Sequence, residues 1–397
     1  MTSPASTPGT SSITYKPQLD GLRFLAVFGV LFYHYSGWLR TLDLPFTVEM
    51  GTFISFFFVL SSYLITTILL SNKHKSGPYA KTAYNFLVRR TLRIFPAYYF
   101  YLLLLLLLPF GGWEVRQHPL AYFFYLSNFR TYAGQYWDAL TSHLWTLSVE
   151  EQFYLVWLWF ILLIPDRHLP LLFYILMIAG VVFRISFFTL HVHSAEQTVP
   201  MVILTPSCMD TFAYGGLLAW QQYYRRNRIP LFKKAFAIIV PVWIILVATH
   251  QRLLLLGFDR AFISIGTMIL IAGADKGYKN GFGRFLQHPW VTYLGKISYG
   301  IYLYHLLLPY VFWKLYNNAA HWLLQKKQVS LTPLTVVLVN PVVSLIFYSI
   351  LTVLFASVSW YLLEQPISRL KRYFTYTLTP RPHRLPDLTK PVTDKDL

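Results

Sequence analysis

The chain has 397 residues, of which 55% are hydrophobic, 18% aromatic and only 13% charged. Soluble proteins carry about 25% charged residues, so the composition excludes an ordinary soluble enzyme and a disordered chain. It favours a protein that crosses a membrane several times. The net charge of +18 then indicates topology rather than nucleic-acid binding, because Lys and Arg gather in the cytoplasmic loops of membrane proteins. The single cysteine, Cys208, excludes an intramolecular disulfide.

The hydrophobic stretches predict an all-α, polytopic membrane helix bundle. A membrane helix needs about 20 mostly apolar residues, and ten stretches qualify, which predicts about ten transmembrane helices within a membrane domain at 20–372. These stretches are 21–39, 51–70, 94–110, 144–164, 169–190, 207–222, 235–250, 254–274, 291–313 and 334–362. A shorter apolar piece, 119–127, is predicted to be re-entrant or to lie against the bundle.

Two polar ends flank this domain. Residues 1–19 are rich in Ser, Thr and Pro and contain no signal-peptide core, which predicts a cytoplasmic leader. Residues 373–397 are rich in Pro and charge and are predicted to be a flexible cytoplasmic tail.

The basic residues predict the orientation. Six of them separate spans two and three and five separate spans six and seven, with no acid in either loop. With ten spans these loops share one side, so the positive-inside rule predicts a multi-pass protein of the inner or plasma membrane with both termini in the cytoplasm. Lys326 and Lys327 fall on the opposite side and depart from the pattern.

The first predicted span carries two ionisable residues, Arg23 and His34. They are eleven residues apart, which on a helix places them on nearly the same face about 16 Å apart along the axis. Ionisable side chains within a membrane are candidate functional residues, and the alternative for a lone histidine is a structural hydrogen bond. The predicted topology places Arg23 near the cytoplasmic end and His34 in the outer half.

A pair of arginines precedes the third predicted span. Arg90 and Arg93 are three residues apart, so they are neighbours on one helix face. Two forked guanidinium groups suit phosphate recognition. The alternative is that they only anchor the helix at the cytoplasmic surface.

The fourth predicted span begins with polar residues. Glu150 and Glu151 are adjacent and point about 100° apart, so at least one of them should face a cavity. Ser148 and Glu151 share a face, and a carboxylate at the level of His34 could orient a histidine base. Glu150 is a secondary candidate.

Asp210 and His305 are further secondary candidates, although a structural hydrogen-bonding role is favoured for each. The sequence has no P-loop, no dinucleotide fingerprint and no clustered metal ligands, which predicts neither a metal site nor a tightly bound cofactor.

Taken in order, several stretches resemble membrane acyltransferase family 3, and the resemblance runs from about Tyr15 to Arg372. Ser62 departs from the family pattern, which usually has glycine there, and is expected to tighten packing. The stretches are Leu19-Asp20-Gly21-Leu22-Arg23 with His34, Phe57 to Ile65, Arg90 to Pro96, Leu144 to Tyr154, Leu294 to His305, and Glu364-Gln365-Pro366.

The resemblance implies transfer of an acyl group, often acetyl, from cytoplasmic acyl-CoA to a hydroxyl of an extracytoplasmic glycan, a glycolipid or another acceptor. It assigns Arg23, Arg90, Arg93 and Ser148 to the donor side, and it implies that acetyl-CoA is a co-substrate. His34 would act as general base or carry the acyl group covalently, with Glu151 as its orienting partner. Relatives often carry an additional soluble hydrolase-like domain, so a second step on the acceptor is expected to need a separate extracytoplasmic partner protein.

Two other classes remain open on composition. A transporter or flippase for a lipid-linked sugar would also have buried charges in a helix bundle, but the two related halves that transporters often show are not found in the sequence. A purely structural membrane subunit would leave the intramembrane charges unexplained.

Overall fold

The computed structural model describes residues 15–37, 51–74, 78–191, 201–226, 228–327 and 331–376. These ranges contain helices and turns but no strand, which confirms the all-α class. The α-helices are α1 Pro17–Ser36, α2 Gly51–Lys73, α3 Tyr79–Leu107, α4 Trp113–Gln117, α5 Pro119–Phe123, α6 Ser127–Gly134, α7 Leu144–Leu163, α8 Leu169–His191, α9 Met209–Tyr223, α10 Ile229–Ala248, α11 Arg252–Lys276, α12 Gly281–Leu286, α13 Pro289–Lys296, α14 Ser298–Tyr304, α15 Leu307–Lys327, α16 Thr332–Leu338, α17 Pro341–Ser359 and α18 Gln365–Ser368.

Seven of the described helices are long and apolar enough to cross a membrane. They are α2, α3, α7, α8, α10, α11 and the stretch Pro341–Tyr373, in which a π-turn and α18 continue α17. The chain is therefore a multi-pass membrane protein, and the predicted number of about ten spans is not confirmed. The predicted spans without a counterpart among the seven are 21–39, 207–222 and 291–313.

The prediction of one helix over 291–313 is wrong. The stretch is divided among α13, α14 and α15, with breaks at Ile297 and at His305. At the second break the carbonyl of Tyr302 accepts a hydrogen bond from Nδ1 of His305, and such side-chain bonds compete with the helix ladder. The long helix predicted over 334–362 begins only at Pro341 in the structure. Asn340 caps it by accepting hydrogen bonds from the backbone N–H groups of Val342 and Val343.

Close helix contacts hold the bundle together around α2 and α9. A Cβ atom at Gly215 of α9 would clash with the carbonyl oxygen of Val59 in α2, so only glycine permits this approach. Ser62 of α2 is fully buried and donates to the carbonyl of Phe212 at 2.5 Å. The contact of Ser62 agrees with the packing role that is predicted for it.

The short apolar piece at 119–127 lies against α3 and α7. The hydroxyl groups of Tyr98 and Tyr99 donate to the carbonyls of Tyr122 and Phe123 at 2.8 and 2.9 Å. Gln152 of α7 donates to the carbonyl of Tyr125 at 2.8 Å. Side chains of α3 and α7 thus satisfy carbonyl groups at the C-terminal end of α5 and just beyond it.

Candidate functional site: an arginine-lined cavity beside a histidine cluster

A cavity with both charged and apolar walls opens among α1, α2, α3, α7 and α14. It encloses about 780 Å³ including its mouth, and the guanidinium groups of Arg23, Arg90 and Arg93 line it together with the carboxyl of Glu150. Six side chains with hydroxyl groups also line the cavity: Ser61, Thr146, Tyr154, Ser298, Tyr299 and Tyr302. The helix packing therefore joins the predicted arginines of two separate segments in one site.

The three arginines differ in their partners. Arg23 forms an ion pair with Asp20, one turn earlier on α1. Arg90 lies over the rings of Phe86 and Tyr154, each 5.6 Å from its guanidinium carbon. Among the described residues, neither Arg90 nor Arg93 has a carboxylate oxygen within 4.0 Å. Two guanidinium groups in the cavity are thus available to an anion.

The adjacent acids of α7 point to different surroundings, as their spacing predicts. Glu150 lines the cavity and accepts a hydrogen bond from Ser61 at 2.8 Å. Glu151 does not line it, and its Oε1 atom is buried with no hydrogen-bond partner among the residues that the structure describes. The cavity-facing acid is the secondary candidate Glu150.

Ser148, predicted to belong to the donor side, is fully buried outside the cavity lining. Its hydroxyl lies 2.7 Å from the Ser127 hydroxyl and accepts the Ser127 backbone N–H at 3.2 Å. These bonds attach the start of α6 to α7.

A cluster of three histidine rings lies next to the cavity wall; we call His34, His143 and His305 the histidine cluster. The ring centroids of His34 and His305 are 4.7 Å apart, and those of His143 and His305 are 5.0 Å apart. His143 is a residue that the sequence analysis missed, although it directly precedes the motif that begins at Leu144. No group of three or more His, Cys, Asp or Glu side chains within the described ranges is arranged to hold a metal ion.

Tyr302 connects the cavity to the histidine cluster. Its side chain lines the cavity, and its ring centroid lies 5.4 Å from that of His305 and 5.7 Å from that of His143. Its hydroxyl lies 2.7 Å from the Thr146 hydroxyl. Tyr302 therefore borders both the cavity and the histidine cluster.

Asp210 is placed in a separate buried ion pair. Its Oδ2 atom lies 2.6 Å from a guanidinium nitrogen of Arg184, and both side chains are fully buried. Arg184 also donates to the carbonyls of Ser207 and Gly257 at 2.5 and 2.7 Å. This is the structural role favoured for Asp210, and its partner was missed although a lone arginine in an apolar stretch is a clear signal.

Asp166, between α7 and α8, is a second charged residue that sequence reasoning missed. Its carboxylate pairs with Lys73 at 2.7 Å and His74 at 2.5 Å, and it accepts from the Tyr224 hydroxyl. Burial opposes ionisation, but hydrogen bonds from His74, Lys73 and Tyr224 outweigh it and hold the pKa of Asp166 below its usual range. The network ties the end of α2 to α9.

The fold and the cavity define the general class of protein. It is a polytopic all-α membrane protein with a site lined by charged side chains inside its helix bundle. The profile of a family described as an acyltransferase domain matches residues 16–361. Because this match covers most of the chain, the chain belongs to membrane acyltransferase family 3, as the resemblance predicted.

The similar proteins are named as O-acetyltransferases. The "Peptidoglycan O-acetyltransferase OatA" of Listeria monocytogenes is 30% identical over 319 residues, which cover 73% of this chain and 49% of that protein. The "O-acetyltransferase OatA" of Staphylococcus aureus is 28% identical over 322 residues, or 73% of this chain and 50% of that protein. The chain thus spans about half the length of these curated relatives. No solved structure matches it.

Proposed function

We propose that the chain is an O-acetyltransferase that moves an acetyl group from cytoplasmic acetyl-CoA to a hydroxyl of a cell-wall glycan outside the membrane. The observation that carries the proposal is the cavity in which Arg90 and Arg93 stand without an ion-pair partner among the described residues. The family membership supports acyl transfer, and the names of the relatives support acetyl as the group and peptidoglycan as the acceptor class.

The donor fits the charges of the cavity. CoA carries a pyrophosphate and a further phosphate, and arginine binds phosphate through paired N–H donors. Glu150 would repel such an anion, but three guanidinium groups line the same cavity and outnumber its single carboxylate. The arginines would therefore hold the phosphates, and the acyl-bearing arm would extend past Tyr302 toward His34.

In the chemical step, His34 acts as the general base. A neutral imidazole, with an unperturbed pKa near 6.5, can accept the proton of the acceptor hydroxyl. The oxygen then attacks the thioester carbonyl carbon, so that a C–O bond forms and the C–S bond breaks. The protonated imidazole returns its proton to the departing thiolate, and free CoA is released. In a two-step variant the acyl group would rest on His34 before it reaches the acceptor.

The proposal includes an orientation. Both termini would lie on the cytoplasmic side of the inner or plasma membrane, which the positive charge of the basic loops supports. The arginines would then face the donor side and His34 the acceptor side. A second, extracytoplasmic protein would complete delivery to the final glycan where a further step is required.

The test is transfer by the purified full chain in lipid nanodiscs, supplied with acetyl-CoA labelled in its acetyl group and a pool of cell-wall glycan fragments. We expect label on the glycan with wild type and a large loss with the double variant Arg90→Gln/Arg93→Gln. The matched control is Arg226→Gln, which removes an exposed arginine from the predicted cytoplasmic loop before α10. Equal transfer by the double variant and the control would contradict the proposal. Transport of a lipid-linked sugar without label transfer would favour a flippase.

A further inference from the structure

His305 has no role in the reaction as proposed, yet its ring contacts His34. The two ring centroids are 4.7 Å apart with 57° between the ring planes. His305 lies at the break between α14 and α15 and is fully buried. A buried polar ring next to a catalytic histidine calls for an explanation.

The hydrogen bonds of His305 determine which nitrogen carries the hydrogen. Its Nδ1 atom lies 2.5 Å from the carbonyl oxygen of Tyr302. Because a carbonyl oxygen can only accept, Nδ1 must be the donor, and in the neutral ring Nε2 is then a bare acceptor. This Nε2 atom is buried and has no hydrogen-bond partner among the described residues. A buried acceptor without a donor is unfavourable, so Nε2 is suited to a hydrogen bond that forms during the reaction.

We propose that His305 is the positioning residue for His34. Its Nε2 atom accepts a ring N–H of His34, which leaves the other His34 nitrogen as the base that receives the acceptor's proton. The inference rests on the proposed function. The rings contact each other here without that bond, and catalytic hydrogen bonds commonly shorten only when the reactants are bound. The role is that of the orienting partner in a catalytic triad, and it replaces the assignment of Glu151.

The surroundings hold His305 in place for this role. The hydroxyl of Tyr35 donates to the His305 carbonyl at 2.7 Å. The His143 ring packs against it nearly perpendicular, with 5.0 Å between ring centroids, while Nε2 of His143 lies 3.0 Å from the Leu303 carbonyl oxygen. Within the described ranges, the titratable groups that contact His305 by ring or hydrogen bond are Tyr35, His143, His34 and Tyr302. A working histidine is commonly fixed by such an outer shell.

Two substitutions test the roles of the two ring nitrogens of His305 separately. Asn places its amide near the position of Nδ1, so His305→Asn keeps a donor for the Tyr302 carbonyl and loses the acceptor. Gln reaches the position of Nε2, so His305→Gln keeps an acceptor for His34 and loses the structural bond. His288→Asn and His288→Gln are matched controls at an exposed histidine before α13.

We expect His305→Asn to lower kcat on the order of 10–100-fold, by analogy with the loss of a hydrogen-bond partner that orients a metal-binding histidine. The KM for acetyl-CoA should not change, since His305 does not line the arginine cavity. His305→Gln should retain clearly more activity than His305→Asn, and both controls should match wild type. The reverse order would mean that only the bond to Tyr302 matters. Equal activity of the two variants, whether high or low, would also overturn the assignment, because only one of them supplies the acceptor.

The proposed function fails by a different result. If wild type transfers no label from acetyl-CoA, the donor assignment is wrong, whatever the variants do. If wild type is active, the comparison of Asn with Gln at position 305 tests His305 alone.

Discussion

The buried pair of Arg184 and Asp210 allows a direct test of structural against catalytic roles. Asp210→Asn leaves the Arg184 guanidinium fully buried without the carboxylate that lies 2.6 Å from it. Breaking a buried ion pair on one side costs about 3–5 kcal/mol. Two carbonyl partners, of Ser207 and Gly257, remain in place, so we expect the lower part of this range.

The assay is equilibrium unfolding of the purified chain in mixed micelles, with transfer activity measured per folded molecule. Asp210→Asn should lose stability while the folded fraction keeps near-normal activity. The double variant Asp210→Leu/Arg184→Met should be less destabilised than Asp210→Asn, since replacing both partners of a buried pair with apolar groups is often neutral. Unchanged stability of Asp210→Asn together with lost activity would refute the structural assignment.

Three further outcomes follow from the same account. His34→Ala should lower transfer about 10²–10⁴-fold, as loss of a positioned base does, and near-normal transfer by a folded protein would remove His34 from the mechanism. Because the pKa of Asp166 is held low, its network should stabilise the fold fully above the ordinary carboxyl pKa of about 3.9 and lose its contribution as the pH falls further. Thermal unfolding in detergent should therefore separate wild type from Asp166→Asn at pH 7 and separate them less below about pH 4, whereas a gap that widens in acid would contradict the sign. In a Cys208→Ser background, an impermeant thiol reagent applied to intact cells should label the cysteine of Tyr136→Cys and not that of Tyr79→Cys, although both positions are exposed. The opposite pattern would show that the predicted topology is inverted.

The fold class was predictable because composition and long apolar stretches determine it. The division of 291–313 was not, since the bond from His305 to the Tyr302 carbonyl depends on local geometry within an apolar stretch. The length of α3, which begins at Tyr79, was also missed, because basic residues within a helix look like a loop before a membrane span.

The sequence indicated which types of residue form the site, but only part of how they are arranged. The spacing of Arg90 and Arg93 correctly placed them together, since three residues apart means one helix face. Which of Glu150 and Glu151 faces the cavity depends on the rotation of α7 against its neighbours, which the spacing leaves open. The contact between α1 and the turn at His305 joins residues far apart in the chain, and no local pattern indicates it.

Binding of acetyl-CoA to the purified full chain in nanodiscs tests the central claim most directly. Affinity should fall steeply in Arg90→Gln/Arg93→Gln, recover in part when Lys replaces Arg at both positions, and stay at the wild-type value in Arg226→Gln. A point charge restores attraction to phosphate but cannot restore the forked contact. Wild-type affinity in the folded double glutamine variant would contradict the account, because the cavity would then have no part in holding the donor.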